Sequence, residues 1–78
     1  MITIRITPEE MNVLIKVYHF QKPRKFRYGL NLRYINADME VINSLKRKGL
    51  IWFLNKYGYI YVFLTRRGRR IVEGHLEK

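Results

Sequence analysis

Two side chains that can read the edges of DNA bases, Asn43 and Arg47, lie four residues apart in the sequence. An amide can bridge adenine with two hydrogen bonds, and a guanidinium can do the same with guanine. On a helix, a spacing of four brings both side chains to the same face. Weaker candidates for base contact occur in the same segment: Asn36, Met39, Glu40 and Ser44. The alternative interpretation is a helix face that only contacts water.

A larger set of mostly basic residues could hold phosphates, which would position the protein without reading sequence. This set comprises Arg24, Lys25, Arg27, Lys46, Lys56, Tyr57, Arg66, Arg67, Arg69 and Arg70. The 78 residues carry a formal net charge of +10, and no acidic residue occurs between positions 41 and 72. Such a basic field on a small domain implies a polyanion partner. A solubilising surface is the alternative, although such surfaces usually mix both signs.

The sequence lacks the residue groups that are typical of enzymes and metal sites. His19 and His75 lie far apart, cysteine is absent, and the glycines do not form a phosphate loop. We therefore predict no catalysis, no metal or other cofactor, and no small-molecule effector. No apolar run approaches the ~20 residues of a membrane span, and no signal peptide is visible at Met1. These features favour a reducing, cytoplasmic location without a membrane partner.

Local signals define the helix that would carry the candidate base-reading residues. We predict this helix at 37–48, with Asn36 as the N-cap that accepts backbone N–H groups. Gly49 can adopt the left-handed conformation that ends a helix. Leu50 would then pack back on Leu45, as in a Schellman motif.

In the segment after Gly49, the apolar residues no longer recur at the spacing of a helix. Apolar and aromatic residues alternate toward its end, which indicates a strand. We predict a hairpin at 51–64 that turns through 55–58. Thr65 is expected to cap a last helix at 66–73, which Gly74 would end.

The first part of the chain begins with an alternating segment, 2–6, which predicts a short strand. Thr7 and Glu10 then form the pattern of a capping box, with Pro8 at the first helical position. The helix is expected to end near Phe20. Its apolar residues form two neighbouring stripes, a wider surface than one small core needs. Either a dimer contact or a position between two parts of the same fold would explain this width.

Residues 26–35 fit two interpretations. We place a strand at 26–28 and a short helix at 30–34, joined at Gly29. A single strand over the whole segment is the alternative, because large apolar residues occupy every second position.

The second half of the chain resembles the winged helix-turn-helix family, which includes MarR-like transcription regulators. The resemblance rests on three pieces in order: Leu45-x-x-x-Gly49-Leu50-Ile51, then the hairpin, then Leu64-Thr65-x-x-Gly68. It implies an α+β winged-helix fold of three to four helices, with the hairpin as the wing. It also implies that the helix before Gly49 lies in the DNA major groove. The small, cysteine-free, basic composition is similar to winged-helix proteins of archaea and archaeal viruses.

We therefore expect one domain, 1–78, that binds double-stranded DNA as a homodimer and regulates transcription. The alternatives are a sequence-neutral architectural or RNA-binding protein, and a winged-helix module that binds an acidic protein. The alternating rings Tyr59, Tyr61 and Phe63 could stack on single-stranded bases. We expect packing or a dimer contact there instead, because Ile60 stands where the RNA-recognition motif requires glycine or alanine.

Overall fold

The computed structural model of the chain describes residues 5–77, which form an α+β fold. In chain order the elements are α1 (Pro8–Gln21), β1 (Leu30–Asn31), α2 (Met39–Arg47), β2 (Ile51–Lys56), β3 (Tyr59–Leu64) and α3 (Arg66–Leu76). Short 3-10 turns occur at Lys22–Arg24 and Leu32–Tyr34. Most of the strand predicted at 2–6 falls on residues 1–4, outside the described residues. Within 5–77, no helix combines the length and apolar character needed to cross a membrane.

The three strands form one antiparallel sheet in the order β1-β3-β2. The hairpin of β2 and β3 is paired from Ile51↔Leu64 to Lys56↔Tyr59. The strand predicted at the end of the hairpin is confirmed, but burial does not alternate along it, because Ile60 is exposed and Phe63 is buried. Val62 and Leu64 belong to the core cluster, whereas Phe63 lies on the other face, where Trp52 stacks on it. The sheet therefore has one face on the helices and a second face outside them.

Helix α1 lies in the middle of the fold, where it contacts α2, α3, β1 and β3. Residues from both of its apolar stripes are buried: Val13, Leu14, Val17 and Tyr18. Of the two explanations for its wide apolar surface, a position between parts of the same fold is therefore the one observed.

The predicted capping box at the start of α1 is confirmed. The Glu10 N–H donates to the Thr7 hydroxyl at 3.1 Å, and the Thr7 N–H donates to Oε1 of Glu10 at 2.9 Å. These bonds satisfy two donors that no helical carbonyl can reach. Helix α1 ends at Gln21, one residue beyond the predicted end.

The predicted start of α2 is wrong, but its predicted end is confirmed. The helix begins at Met39, and Asp38, rather than Asn36, is the N-cap residue. The chain is still turning before it, because the Ala37 N–H donates to the Ile35 carbonyl at 3.1 Å. At the other end Gly49 has φ of 74°. The N–H of Leu50 donates to the Leu45 carbonyl at 3.0 Å, as a Schellman motif requires.

The strand predicted at 26–28 is wrong in position, and the helix predicted at 30–34 is a shorter 3-10 helix. The strand lies at Leu30–Asn31, and a 3-10 turn at Leu32–Tyr34 takes the place of the predicted helix. Lys25 and Phe26 have φ of 54° and 59°, which turns the chain where a strand was expected. The Asn31 side chain accepts from the N–H of residue 33 at 3.0 Å and starts the 3-10 turn.

The hairpin turn is tighter than predicted. Lys56 and Tyr59 are paired, so only Tyr57 and Gly58 form the turn. Their φ values are 54° and 80°, the pattern of a type I′ turn, whose twist matches that of the strands.

The cap of α3 is confirmed, since the Thr65 hydroxyl accepts from the Gly68 N–H at 3.1 Å. The helix continues beyond the predicted end at Gly74 and reaches Leu76. The same hydroxyl donates to the Gly49 carbonyl at 2.7 Å, and the Thr65 N–H donates to the Leu50 carbonyl at 3.1 Å. The two halves of the sequence motif, Gly49-Leu50 and Thr65-x-x-Gly68, thus contact each other directly.

Candidate nucleic-acid interface

The outer side of α2 carries most of the predicted base-reading residues. Four exposed side chains line one shallow surface there: Glu40, Asn43, Lys46 and Arg47. Met39, in the first turn of the same helix, is 52% exposed. Asn43 and Arg47 therefore stand side by side with a carboxylate and an amine, and no other element lines this surface. The group can donate hydrogen bonds, accept them and attract phosphates.

Two predicted base-reading residues are placed elsewhere. The Ser44 hydroxyl donates to Oε2 of Glu10 at 2.7 Å, so it faces α1 instead of the open side of α2. Asn36 precedes the helix and lines a groove between α1 and the start of α2. Asn36 lies outside the helix because α2 begins at Met39, and Ser44 lies within α2 on the side that faces α1.

Glu10 fixes the side of α2 that faces α1. Its carboxylate is 2% exposed and accepts from the Lys48 amine at 2.7 and 2.9 Å. The same amine donates to the Arg5 carbonyl at 2.5 Å. Burial alone would raise the pKa of Glu10, but hydrogen bonds from the Lys48 amine, a backbone N–H and a hydroxyl lower this pKa to about 2. The carboxylate therefore stays charged and holds α2 against α1.

The sequence marked Glu10 as a capping residue but gave no sign of this second role. The capping bond uses one carboxylate oxygen, and the other remains available to α2. A partner 38 positions away could not be identified before the fold placed Lys48 beside it.

Three exposed arginines lie at the start of α3, close to the C-terminal end of α2: Arg66, Arg67 and Arg70. The bonds of Thr65 to Gly49 and Leu50 bring the two helix ends together. Arg69 differs from these three, because its guanidinium carbon lies 3.7 Å from the ring centre of Phe26. Its Nε is buried and has no hydrogen-bond partner within the described part of the chain. Arg69 therefore packs on Phe26, whereas the other three arginines of α3 are exposed.

The remaining predicted phosphate contacts gather at a second place. Arg24, Arg27, Lys56 and Tyr57 line an open groove of about 690 Å³, which we call the aromatic groove. Its other walls are aromatic or apolar: Phe20, Tyr28, Gly29, Leu54, Tyr61 and Phe63. Lys25 is exposed on the same loop but does not line the groove. No residue of α2 or α3 lines it either, so the basic residues form separate surfaces.

Gln21 positions one wall of the aromatic groove, and the sequence gave no sign of this. The side chain is 1% exposed. Its Oε1 accepts from the Leu64 N–H at 2.9 Å, and its Nε2 donates to the Tyr28 carbonyl at 3.1 Å. Because β1 is only two residues long, Gln21 substitutes for a strand partner at the end of β3.

Across residues 5–77, no group of three or more His, Cys, Asp or Glu side chains is arranged to hold a metal ion. No protein-family model, curated protein or solved structure matches the chain.

Proposed function

We propose that this protein is a winged-helix regulator of transcription that binds a specific site on double-stranded DNA through α2. The order α1, β1, α2, β2, β3 and the sheet order β1-β3-β2 support this proposal. The departure from the family pattern is the 3-10 turn at Leu32–Tyr34, which stands where a second helix is expected.

The observation that carries the proposal is the contrast between the two sides of α2. On the inner side Ile42 and Leu45 are fully buried. On the outer side Asn43 and Arg47 are exposed and lie one turn apart. An α-helix with its side chains is about 10–12 Å in diameter, which fits the ~12 Å width of the major groove. A fixed helix with free amide and guanidinium groups suits base reading, which needs side chains held in a defined position.

Basic groups at both ends of the hairpin would hold the DNA backbone. Arg66, Arg67 and Arg70 lie near its base, and Lys56 and Tyr57 lie at its tip. The six residues of β3 separate these groups by about 17 Å. In this proposal the arginines position α2 and the tip acts as the wing.

A salt titration of single variants tests the proposal, with a preferred duplex selected from a random library and a scrambled duplex. Arg47→Ala and Asn43→Ala should each cost about 1–3 kcal/mol on the preferred duplex and little on the scrambled one. Arg67→Ala should weaken both duplexes alike and flatten the salt dependence by roughly one unit per subunit. Lys16→Ala, which removes an exposed charge from α1, controls for net charge alone.

Two results would replace the proposal. Equal losses for the three interface variants on both duplexes would indicate a sequence-neutral architectural binder. Absence of duplex binding, with capture of an acidic protein from nuclease-treated lysate, would indicate an interaction module.

The homodimer is a further part of the proposal and has its own test. The stripes of α1 no longer support it, because residues from both are buried inside the fold. A two-fold pair would bind half-sites about 34–36 Å apart. Light scattering should show a dimer on such a duplex. A monomer in every condition would remove the dimer while leaving duplex binding intact.

A further inference from the structure

The aromatic groove lies on the face of the sheet that points away from α2. Leu54 and Tyr61 are paired across β2 and β3, and both line the groove. Phe53, the neighbour of Leu54, packs on the core instead, and the Lys46 amine of α2 lies 5.0 Å from its ring centre. Since successive residues of a strand point to opposite faces, the groove and α2 occupy opposite sides of the sheet. A ligand in the groove therefore does not compete for the outer side of α2.

The groove presents flat rings to the outside. Tyr28 is 65% exposed and Tyr57 is 87% exposed. Between them the floor is tight, because a Cβ at Gly29 would lie 2.6 Å from the Phe63 ring. Trp52, the cross-strand partner of Phe63 on the same face of the sheet, stacks on that ring, with centroids 4.3 Å apart and planes at 12°. Gly29 and Trp52 thus hold the Phe63 ring, and the rings of Tyr28 and Tyr57 stay exposed.

The rim of the groove is positively charged and carries no compensating acid. Arg24, Arg27 and Lys56 line it, and no Asp or Glu does. The Nη1 of Arg24 donates to the Phe20 carbonyl at 2.8 Å, and its guanidinium carbon lies 4.2 Å from the Phe20 ring centre. This guanidinium is held as a plane against the groove wall.

The backbone around the groove is held in an uncommon conformation. Among the described residues, the non-glycine positions with positive φ are Lys25, Phe26 and Tyr57, and all three lie on the two segments that border the groove. Residues with a Cβ rarely adopt this conformation. Gln21 keeps the first segment in place, since its carbonyl accepts from the Phe26 N–H at 2.8 Å. The backbone of this segment is therefore set before any ligand binds.

We propose that the aromatic groove binds single-stranded nucleic acid, with bases stacked on Tyr28 and Tyr57 and phosphates held by Arg24, Arg27 and Lys56. Each nucleotide of a single strand carries one phosphate and one flat base. Such a ligand uses both the exposed aromatic rings and the cations, which no acid of the groove neutralises. A second copy of the chain is a poor occupant, because it would place two sets of three cations against each other. The inference goes beyond duplex binding by α2 and does not depend on it, although Lys56 and Tyr57 would contact a duplex as the wing tip and a single strand as part of the groove.

Fluorescence anisotropy with labelled oligothymidylate and oligouridylate of about 12 nucleotides tests the proposal. Tyr28→Leu keeps the apolar character but removes the ring, and should weaken both single strands by about fivefold or more. Tyr28→Phe should restore binding. Tyr34→Leu, which alters a tyrosine that is 63% exposed and does not line the groove, should have no effect. Trp52, the single tryptophan, stacks on the Phe63 ring of the groove, so its fluorescence gives a label-free signal.

The duplex selected above is titrated with the same variants. Failure of the single-strand proposal can then be distinguished from failure of the duplex proposal. Tyr28→Leu should leave duplex affinity unchanged, because Tyr28 has no place in the α2 interface. An equal loss on duplex and single strands would overturn the inference and indicate one electrostatic surface. Failure of the wild-type protein to bind single strands would also overturn it. A Tyr28→Leu variant that changes the sedimentation coefficient but not oligonucleotide binding would also overturn the inference. In that case a second copy of the chain would cover the groove.

Discussion

The two ends of the β2–β3 hairpin are held by very different interactions. At the hairpin base, 48–51 and 64–68, backbone groups contact each other directly. The Thr65 N–H and hydroxyl bond to the carbonyls of Leu50 and Gly49, and Leu50 is fully buried. Lys48 adds the ion pair with Glu10.

At the hairpin tip, 55–59, the side chains are exposed and the turn contains a tyrosine with φ of 54°. The strand pairing of Lys56 with Tyr59 closes the tip, and the Lys56 amine lies 5.6 Å from the Tyr57 ring. The difference separates two roles within one hairpin. The base fixes α2 and α3 relative to the sheet, so changes there should alter stability. The tip presents charge and rings at some cost in stability, so changes there should mainly alter binding.

The largest expected effect is that of Gly68→Ala at the hairpin base. A Cβ at Gly68 would overlap the Leu50 carbonyl oxygen, a backbone atom that cannot move without loss of the contact between the helix ends. We expect a loss of about 3 kcal/mol or more in the free energy of unfolding, the upper end for overpacking. Urea denaturation measures this quantity. Gly74→Ala is the matched control, because it lies in the same helix and a Cβ there meets nothing within 4 Å.

Gly74→Ala should be neutral or stabilising by up to about 1 kcal/mol, as expected from helix propensity. If both alanine variants had the same stability, the helix ends would not be in the tight contact described. The base would then be no more constrained than the tip.

A second effect at the base depends on pH. The pKa of Glu10 is about 2, below the 4.5 of an unperturbed glutamate, so the charged carboxylate stabilises the fold at every pH above about 4.5. This contribution disappears as the pH falls from 4.5 through 2, and amounts to about 3 kcal/mol at most. Urea denaturation at neutral pH and near pH 2 should show the loss in the wild-type protein. Glu10→Gln should be less stable at neutral pH and lose less on acidification.

Glu40→Gln serves as the control for that measurement, because Glu40 is exposed on the open side of α2. The free energy of unfolding of the Glu40→Gln variant should change with pH as that of the wild-type protein does. A Glu10→Gln variant with the full wild-type dependence would show that other carboxylates control acid unfolding.

Most of the hairpin base could be predicted from the sequence because its signals are local. The Thr65 hydroxyl accepts from Gly68 three residues later, and the Leu50 N–H donates to Leu45 five residues earlier, so neighbours in the chain supply the partners. The prediction of where α2 begins was wrong because two local signals compete. Asn36 and Asp38 are both suitable N-caps, and a turn at Ile35 decides between them.

The aromatic groove could not be predicted, because it depends on contacts between distant parts of the chain. Arg27 and Lys56 line the same groove because β1 pairs with β3. The strand expected at 26–28 is displaced by the positive φ of Phe26, which is held by a bond to Gln21. Nothing in the sequence distinguishes this buried glutamine from an exposed one. On α2, the same limitation concealed the bond of Ser44 to Glu10.

The smallest expected effect belongs to the tip and has the opposite sign. Tyr57 holds a left-handed conformation that costs a tyrosine about 1 kcal/mol and costs asparagine less, and its ring is 87% exposed. Tyr57→Asn should therefore raise the free energy of unfolding by up to about 1 kcal/mol, or the melting temperature by about 4–8 °C. The same substitution should weaken binding of single-stranded oligonucleotides, because one stacking ring is lost. Tyr34→Asn, at a similarly exposed position without positive φ, should give no gain in stability. Calorimetry and anisotropy on the two variants separate the effects. If Tyr57→Asn lowered the melting temperature, the ring would be part of the packing of the hairpin, and the contrast between base and tip would fail.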